Sequence, residues 1–200
     1  MNNDLFQHKA NTYETIYHRV ANVDNIAKAM LQNIDLNPSM KIMDFGSGTG
    51  LLLERIAPHV HTITAVDIST SMNRELEKKR SKLASELEII EKNLSSSNLD
   101  RTFDGIISSM TMHHIRDIES MLKKFYAMLN ENGFVAIADL DIENGSFHTE
   151  DTGVFHQGFD RQALLELIEN TGFKDEKIRS ASTVNKPQGD FSVFLLTAYK

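Results

Sequence analysis

Residues 41–50 read KIMDFGSGTG, and this stretch decides the fold. A short apolar run, Lys41–Asp44, leads into a loop with glycine at positions 46, 48 and 50. The apolar residues that follow from Leu51 predict a helix. Glycines at a strand-to-helix turn let the backbone approach a ligand closely, and the helix N-terminus offers unpaired N–H groups to negative charge. The stretch therefore predicts the first strand–loop–helix unit of a nucleotide-binding α/β fold.

The remaining chain alternates predicted strands and helices. After the first unit, strands are predicted at 61–67, 87–90, 103–109 and 134–139, with helices to about 84 and at 118–129. Such alternation favours a parallel sheet covered by helices on both faces. The ending differs, because the helix predicted at 161–170 is followed by two strands, about 173–178 and 191–199, with no helix between them. Two strands joined in this way form an antiparallel hairpin.

Residues 1–38 are predicted to form a helical lid that Asn37-Pro38-Ser39 ends. Residues 39–200 form the main part, and the two together make one structural domain. The length of 200 residues is ample for a buried core.

Composition restricts the classes of partner and compartment. The chain has no cysteine, which excludes disulfides and thiolate metal sites. Its net charge of −7 disfavours nucleic acid as a partner. No apolar run approaches the ~18 residues that a membrane span needs, and the N-terminus lacks the apolar centre of a signal peptide. We therefore expect a cytoplasmic protein with no membrane span.

Two carboxylates accompany the glycine loop. Asp44 stands two residues before the first glycine, and Asp67 ends the second predicted strand. A carboxylate at that strand end can accept hydrogen bonds from two ribose hydroxyls, as adenosine-containing ligands require. The glycine spacing is G-x-G-x-G and differs from the G-x-G-x-x-G of dinucleotide-binding loops.

These residues resemble the class I S-adenosylmethionine-dependent methyltransferases. Asp44–Gly50 is similar to the first motif of that family, and Val66-Asp67-Ile68-Ser69 to the second. Phe103–Ser109 and Gly133–Asp139 look like its fourth and fifth strands. The resemblance covers roughly residues 10–200 and is strongest to the small-molecule branch that includes the ubiquinone and menaquinone biosynthesis methyltransferases.

The resemblance implies a Rossmann-like three-layer α/β sandwich. Its seven-stranded sheet is mostly parallel with an antiparallel last strand, helices cover both faces, and an N-terminal helical lid closes over the cofactor. The implied cofactor is S-adenosylmethionine, the product is S-adenosylhomocysteine, and the partner is a small-molecule acceptor. The resemblance leaves open whether the protein is a monomer or a homodimer.

Carried onto this sequence, the family pattern implies a set of cofactor-binding residues. Asp44 and the loop would hold the methionine part, Asp67 the ribose, and Tyr13 would close over the cofactor. Asn93 stands where the family usually has an aspartate for the adenine amino group. The full implied set is Tyr13, Asp44, Gly46, Ser47, Gly48, Gly50, Asp67, Ile68, Met72, Asn93, Leu94, Ser109 and Met110.

Histidines are the candidates for a general base, if the acceptor must lose a proton. His113-His114 follows the fourth strand, where the family frequently carries a histidine near the transfer centre, and His156 lies after the fifth strand. We take His114 and His156 as candidate catalytic residues, although loop or packing roles would also explain them. A metal site of His148, Asp151 and His156 has no recognised ligand spacing, so no metal is predicted.

Two other functions remain open. A non-catalytic protein that binds S-adenosylmethionine or S-adenosylhomocysteine would carry the same cofactor motifs. A nicotinamide-dependent oxidoreductase is disfavoured by the glycine spacing, by Asp44 and by the C-terminal hairpin. Ser108-Ser109-Met110-Thr111 lacks the Asn/Asp-Pro-Pro-Tyr motif of enzymes that methylate DNA or protein-glutamine amino groups.

Overall fold

The structure, a computed structural model, describes residues 4–150 and 152–200. Its helices are α1 (Tyr17–Asn33), α2 (Leu51–Ile56), α3 (Thr70–Glu77), α4 (Ile118–Met128) and α5 (Arg161–Thr171). Its strands are β1 (Lys41–Phe45), β2 (Thr62–Asp67), β3 (Glu86–Glu91), β4 (Phe103–Ser109), β5 (Leu129–Leu140), β6 (Lys174–Lys186) and β7 (Gly189–Tyr199). Short 3₁₀ turns include Ala10–Thr15 and Met112–His114.

All seven strands form one sheet in the order β3-β2-β1-β4-β5-β7-β6. The pairs from β3 to β5 are parallel, and β7 is antiparallel to both β5 and β6. The predicted fold, with its antiparallel last strand, is confirmed. Strand order reverses between β1 and β4, and ligands of open α/β sheets bind beyond the carboxyl ends of the strands at such a switch point.

Each face of the sheet has its own hydrophobic core, because successive side chains of a strand point to opposite faces. Ile42 of β1 and Ile107 of β4 belong to one core, with Leu53 of α2. Their neighbours Met43 and Ile106 belong to the other. The second core is completed by α4 and α5, through residues such as Phe125, Leu164 and Ile168. These two cores make the three layers.

The predicted N-terminal lid consists of two parts. Helix α1 packs against α2 and β6, and its Ile26 and Met30 are fully buried in the first core. The residues before α1 instead follow the carboxyl edge of the sheet, where Asp4 accepts hydrogen bonds from the Ser69 hydroxyl and the Ser71 N–H. The domain boundary at residue 38 stays a prediction.

Some element bounds differ from the sequence-based expectation. Helix α3 ends at Glu77, and a separate 3₁₀ turn, Arg80–Lys82, follows it. Strand β5 begins at Leu129, which pairs with Phe103 of β4. A register shift follows, and the predicted regular part begins where Phe134 pairs with Gly105. In the part of the chain that the structure describes, no helix combines the length and apolar character needed to cross a bilayer.

Candidate active site

The glycine loop runs from β1 to α2 at the switch point and adopts backbone conformations that favour glycine. Gly46 has φ +72°, and a Cβ at this position would lie 2.2 Å from the Thr111 Oγ1 atom. Gly48 has φ +53°, but a Cβ there would have no heavy atom within 4 Å. One glycine therefore allows the loop to pack on the residues after β4, and the other borders open space.

Several buried polar atoms surround this loop without a hydrogen-bond partner among the described residues. They are Asp44 Oδ2, Ser47 Oγ, Thr49 Oγ1 and Ser109 Oγ. Burial, and secondarily the charge of Asp67, raise the pKa of Asp44 to about 8. Buried polar groups are almost always hydrogen-bonded in native proteins. These atoms therefore fit a polar ligand that carries positive charge near Asp44, as the ammonium and sulfonium groups of S-adenosylmethionine do.

Asp67, the last residue of β2, forms a hydrogen bond with the glycine loop. Its Oδ2 accepts a hydrogen bond from the Gly48 N–H at 2.8 Å, and its Oδ1 accepts one from the Ser69 N–H at 2.8 Å. Burial raises the pKa of Asp67, and these backbone hydrogen bonds lower it. Each carboxylate oxygen can accept a second hydrogen bond. The carboxylate is thus held in place with capacity left for hydroxyls of a ligand.

The residues predicted to surround adenine lie in different environments. Ile68 is 56% exposed, whereas Met72 and Leu94 are buried. Asn93 is exposed, and its Oδ1 already accepts a hydrogen bond from the Ser95 N–H at 2.9 Å. Ile68 therefore offers a free apolar surface, and the Asn93 oxygen predicted to read adenine already accepts one hydrogen bond from its own loop.

Tyr13 lies in the 3₁₀ turn before α1 and is near Asp67. Burial raises the pKa of Tyr13, the guanidinium of Arg19 lowers it, and Asp67 is close enough to raise it further. The Arg19 guanidinium carbon lies 4.2 Å from the centre of the Tyr13 ring. The turn thus places Tyr13 beside the carboxylate predicted to hold the ribose.

The residues after β4 lie on the opposite side of the predicted cofactor site from Asp67. Ser109 ends β4, and Met110 has φ +55° while its N–H donates to the Ala138 carbonyl of β5 at 2.8 Å. This bond ties the ends of the two strands together. The 3₁₀ turn Met112–His114 follows immediately.

His113 and Asp139 form a buried pair that the sequence prediction missed. Both are almost inaccessible, and the His113 Nδ1 atom lies 2.6 Å from Asp139 Oδ1. The backbone N–H of His113 also donates to Asp139 Oδ2 at 3.2 Å. Asp139 lies in a correctly predicted strand, His113 follows another, and the two strands, β5 and β4, are neighbours. The signal was therefore present, but it depended on knowing which strands pair.

His114 is brought to the same place. Its ring centre lies 4.3 Å from that of His113 and 5.8 Å from that of His148, which lies in the loop after β5. Burial and the neighbouring His113 lower the pKa of His114 to about 4. Burial also lowers the pKa of His148 to about 4, and the neighbouring His113, His114 and Lys186 contribute to this shift.

His156, the second candidate base, is held by the protein backbone. Its Nε2 atom lies 2.9 Å from the Ile115 carbonyl oxygen, so that nitrogen carries a proton and donates it. Its backbone N–H donates to the His113 carbonyl at 3.2 Å. Asp151, considered with His148 and His156 as a metal ligand, lies outside the described residues.

A cavity of about 550 Å³ opens beside the loop after β5. His148 lines it together with apolar side chains and two carboxylates; the lining includes Ile142, Glu143, Glu150, Val154, Phe155 and His156. Pockets of this size bind small molecules. The cavity therefore adjoins the histidines on the side of the loop after β5.

Comparison with known proteins decides the family. Residues 13–178, well over half of the chain, match the family described as "Methyltransferase domain". The chain belongs to this family. The predicted class of enzyme and its cofactor are confirmed: the protein is a methyltransferase that depends on S-adenosylmethionine.

Individual relatives agree with the family match. An uncharacterized methyltransferase of Schizosaccharomyces pombe is 27% identical over 93% of this chain and 72% of its own length. Malonyl-[acyl-carrier protein] O-methyltransferase of Bacillus anthracis is 26% identical over 85% of this chain, which spans 62% of that protein. Phosphoethanolamine N-methyltransferase 2 of Haemonchus contortus, solved with phosphomonomethylethanolamine and S-adenosylhomocysteine, superposes with a TM-score of 0.75 at 14% identity, covering 98% of this chain and 59% of that one.

Proposed function

We propose that this methyltransferase acts on a small-molecule acceptor held between the glycine loop and the loop after β5. The observation that carries the proposal is the set of unpartnered buried polar atoms around the glycine loop, together with a cavity of small-molecule size beside the loop after β5. Because the methyl donor and the acceptor must meet, adjacent sites at one edge of the sheet support transfer between them.

For the cofactor, we assign roles to the residues that border the cleft. Asp44 and the loop at 46–50 would bind the charged methionine part, and Asp67 would bind the ribose hydroxyls. Ile68 would pack on the adenine, because it is the exposed apolar side chain next to Asp67. The remaining assignments are Tyr13 as a cover, Ser109 and Met110 on the sulfonium side, and Met72, Asn93 and Leu94 as supports around the adenine.

When bound, S-adenosylmethionine supplies an electrophilic methyl group on a sulfonium. The chain's own residues then need to align the acceptor and exclude water, which alone accounts for large rate effects. For proton removal the best base has a pKa near the working pH. With a pKa of about 4, His114 is a weak proton acceptor at neutral pH. The assignment of His114 and His156 as bases stays a prediction.

The test is release of S-adenosylhomocysteine from S-adenosylmethionine in the presence of candidate acceptors. Small carboxylates, phenols and amines form the first panel, because the named relatives methylate oxygen and nitrogen. We expect turnover with at least one class, and its loss when the cavity is blocked by Gly145→Trp. Tight binding of S-adenosylhomocysteine without turnover of any acceptor would favour the non-catalytic binding protein instead. Monomer or homodimer, and a cytoplasmic location, stay predictions.

A further inference from the structure

Three histidines from two separate segments converge at the carboxyl ends of β4 and β5. His113 and His114 lie in the 3₁₀ turn after β4, and His148 lies in the loop after β5. One ring nitrogen from each lies within 4.8 Å of the others. We call these three residues the histidine cluster.

In each member of the histidine cluster the Nδ1 atom faces an oxygen. The contacts are His113 Nδ1 to Asp139 Oδ1 at 2.6 Å, His114 Nδ1 to the Gly153 carbonyl at 3.3 Å, and His148 Nδ1 to Thr152 Oγ1 at 3.1 Å. Each ring is therefore held on its Nδ1 side, and Nε2 is the atom that each can offer to a common ligand. Metal-binding histidines almost always donate their second ring N–H to a carboxylate, a carbonyl or water in this way.

The distance between two of these atoms fits a shared ion. His113 Nε2 and His148 Nε2 lie 3.2 Å apart. Two nitrogens bound tetrahedrally to one zinc ion at its usual bond length would be about 3.4 Å apart. The pair is therefore already at ligand spacing, and a rotation of the half-buried His114 ring would bring in the third nitrogen.

We propose that the Nε2 atoms of His113, His114 and His148 bind one divalent transition-metal ion of the zinc class. Three imidazoles suit this class of metal better than magnesium or calcium, which prefer oxygen ligands. Three protein ligands also leave a fourth coordination position open, as in catalytic rather than structural zinc sites.

The hydrogen-bond contacts of the histidines agree with ligation. A histidine must be unprotonated at the nitrogen that binds a metal. At 3.2 Å, His148 Nε2–H can donate to His113 Nε2. Since the Thr152 hydroxyl can both donate and accept, it can hold the other tautomer of His148 once a metal takes Nε2.

The position of the histidine cluster suggests what the metal does. On one side the cluster is two residues from Thr111, which contacts Gly46 of the cofactor loop. On the other side His148 lines the cavity. An ion there would coordinate an acceptor oxygen and lower its pKa, as zinc does for bound water. This role rests on the proposed function, whereas the existence of the site does not.

The site can be tested without any turnover assay. Tag-free protein is freed of metal with a chelator and titrated with Zn²⁺ against a chromophoric competitor, and with Co²⁺ for its visible spectrum. We expect one ion per chain and a tetrahedral Co²⁺ spectrum. His148→Ala, a change in a half-buried loop residue, should weaken Zn²⁺ binding at least about 100-fold, and Asp139→Asn about 10- to 100-fold. His61→Ala, at an exposed histidine, is the matched control and should bind like the wild type.

Three results would overturn the site: no stoichiometric Zn²⁺ binding by folded wild-type protein, equal binding by His148→Ala, or an equal loss in His61→Ala. The first of these would instead indicate a metal-free hydrogen-bonded chain from Asp139 through His113 and His148 to Thr152. A failed search for acceptors would leave the titration unaffected, so the two proposals can fail separately.

Discussion

The cofactor cleft and the histidine cluster lie at the same edge of one sheet, but they are assembled differently. The cleft takes its central residues, Asp44 to Asp67, from one strand–helix–strand unit. The histidine cluster joins His113 to Asp139 and His148, which are 26 and 35 residues away. The first region can therefore be recognised from a local sequence motif, whereas the second forms only because β4 and β5 are neighbours in the sheet.

The two regions also differ in charge. The cleft holds two buried carboxyl groups whose pKa values are raised by burial, and a cationic ligand would stabilise their charged forms. In the histidine cluster the pKa values of His114 and His148 are lowered, and His113 lies next to the buried carboxylate of Asp139. Variants that separate the contributions of the two regions are the sharpest tests of this contrast.

The largest effect is expected where the glycine loop contacts the residues that lead from β4 to the histidine cluster. Gly46→Ala would place a Cβ against Thr111 at a positive φ, so it should lower the free energy of unfolding by about 3 kcal/mol. Gly48→Ala has the same backbone strain without the clash and should cost about 1 kcal/mol. Urea denaturation measures both. Equal losses in the two variants would show that the Thr111 contact is unimportant.

Asp44→Asn should weaken binding of S-adenosylhomocysteine by about 2 kcal/mol, because a charged hydrogen-bond partner is lost. It should also stabilise the ligand-free protein at high pH. The pKa of Asp44 in the folded protein is about 8, against an ordinary value of 3.8. Folding therefore retains a proton that the unfolded chain releases, and wild-type stability should fall as pH rises from about 4 to about 8.

Denaturation of the ligand-free proteins across this pH range checks that sign. The advantage of Asp44→Asn over the wild type should grow up to about pH 8 and then level off. Calorimetry at neutral pH in buffers of different ionisation enthalpy should show proton release on ligand binding by the wild type only. A stability difference that does not vary with pH would contradict the raised pKa.

Asp67→Ala should weaken S-adenosylhomocysteine binding by at least about 1.5 kcal/mol, since it removes charged hydrogen bonds. Asp117→Ala is the matched control: Asp117 also accepts a backbone N–H, from Ser120, but it begins α4 away from the cleft. Calorimetry should find its affinity unchanged. Undiminished binding by Asp67→Ala would refute the ribose assignment.

The smallest effects are expected from two exposed isoleucines, one at the cofactor cleft and one at the cavity beside the histidine cluster. Ile68 beside Asp67 is 56% exposed, and Ile142 at the cavity is 69% exposed. Truncating Ile68 to alanine should weaken cofactor binding by about 0.5–1 kcal/mol and leave stability nearly unchanged. Ile142→Ala should raise the KM for the acceptor and leave S-adenosylhomocysteine binding alone. The reverse pattern would mean that the two regions are wrongly assigned.

The sequence predicted the order and type of the main elements because their apolar periodicity is strong. It misplaced bounds where polar residues join the sheet. The segment from Arg179 to Asp190 was expected to be mostly a connection, but it extends β6 and β7. Strand pairing accommodates such polar residues, because the outer face of an edge hairpin can stay exposed to water.

The same limit applies to the site. Asp44, Gly46 and Asp67 were predictable because each lies at the end of a predicted strand or directly after it. The histidine cluster was not, because ligand spacing along the chain cannot reveal residues that meet across strands. His113 was read only as the neighbour of His114, and Asp139 only as the end of a strand.

The place of β7 between β5 and β6 has a consequence for biosynthesis. While the chain emerges from the ribosome, the outer edge of β5 stays unpaired until residues 189–199 are available, because β6 contacts the sheet through β7. An unpaired edge of this kind is a template for aggregation. Completion of the sheet therefore waits for β7, and a nascent chain stalled before residue 189 would leave the edge of β5 unpaired.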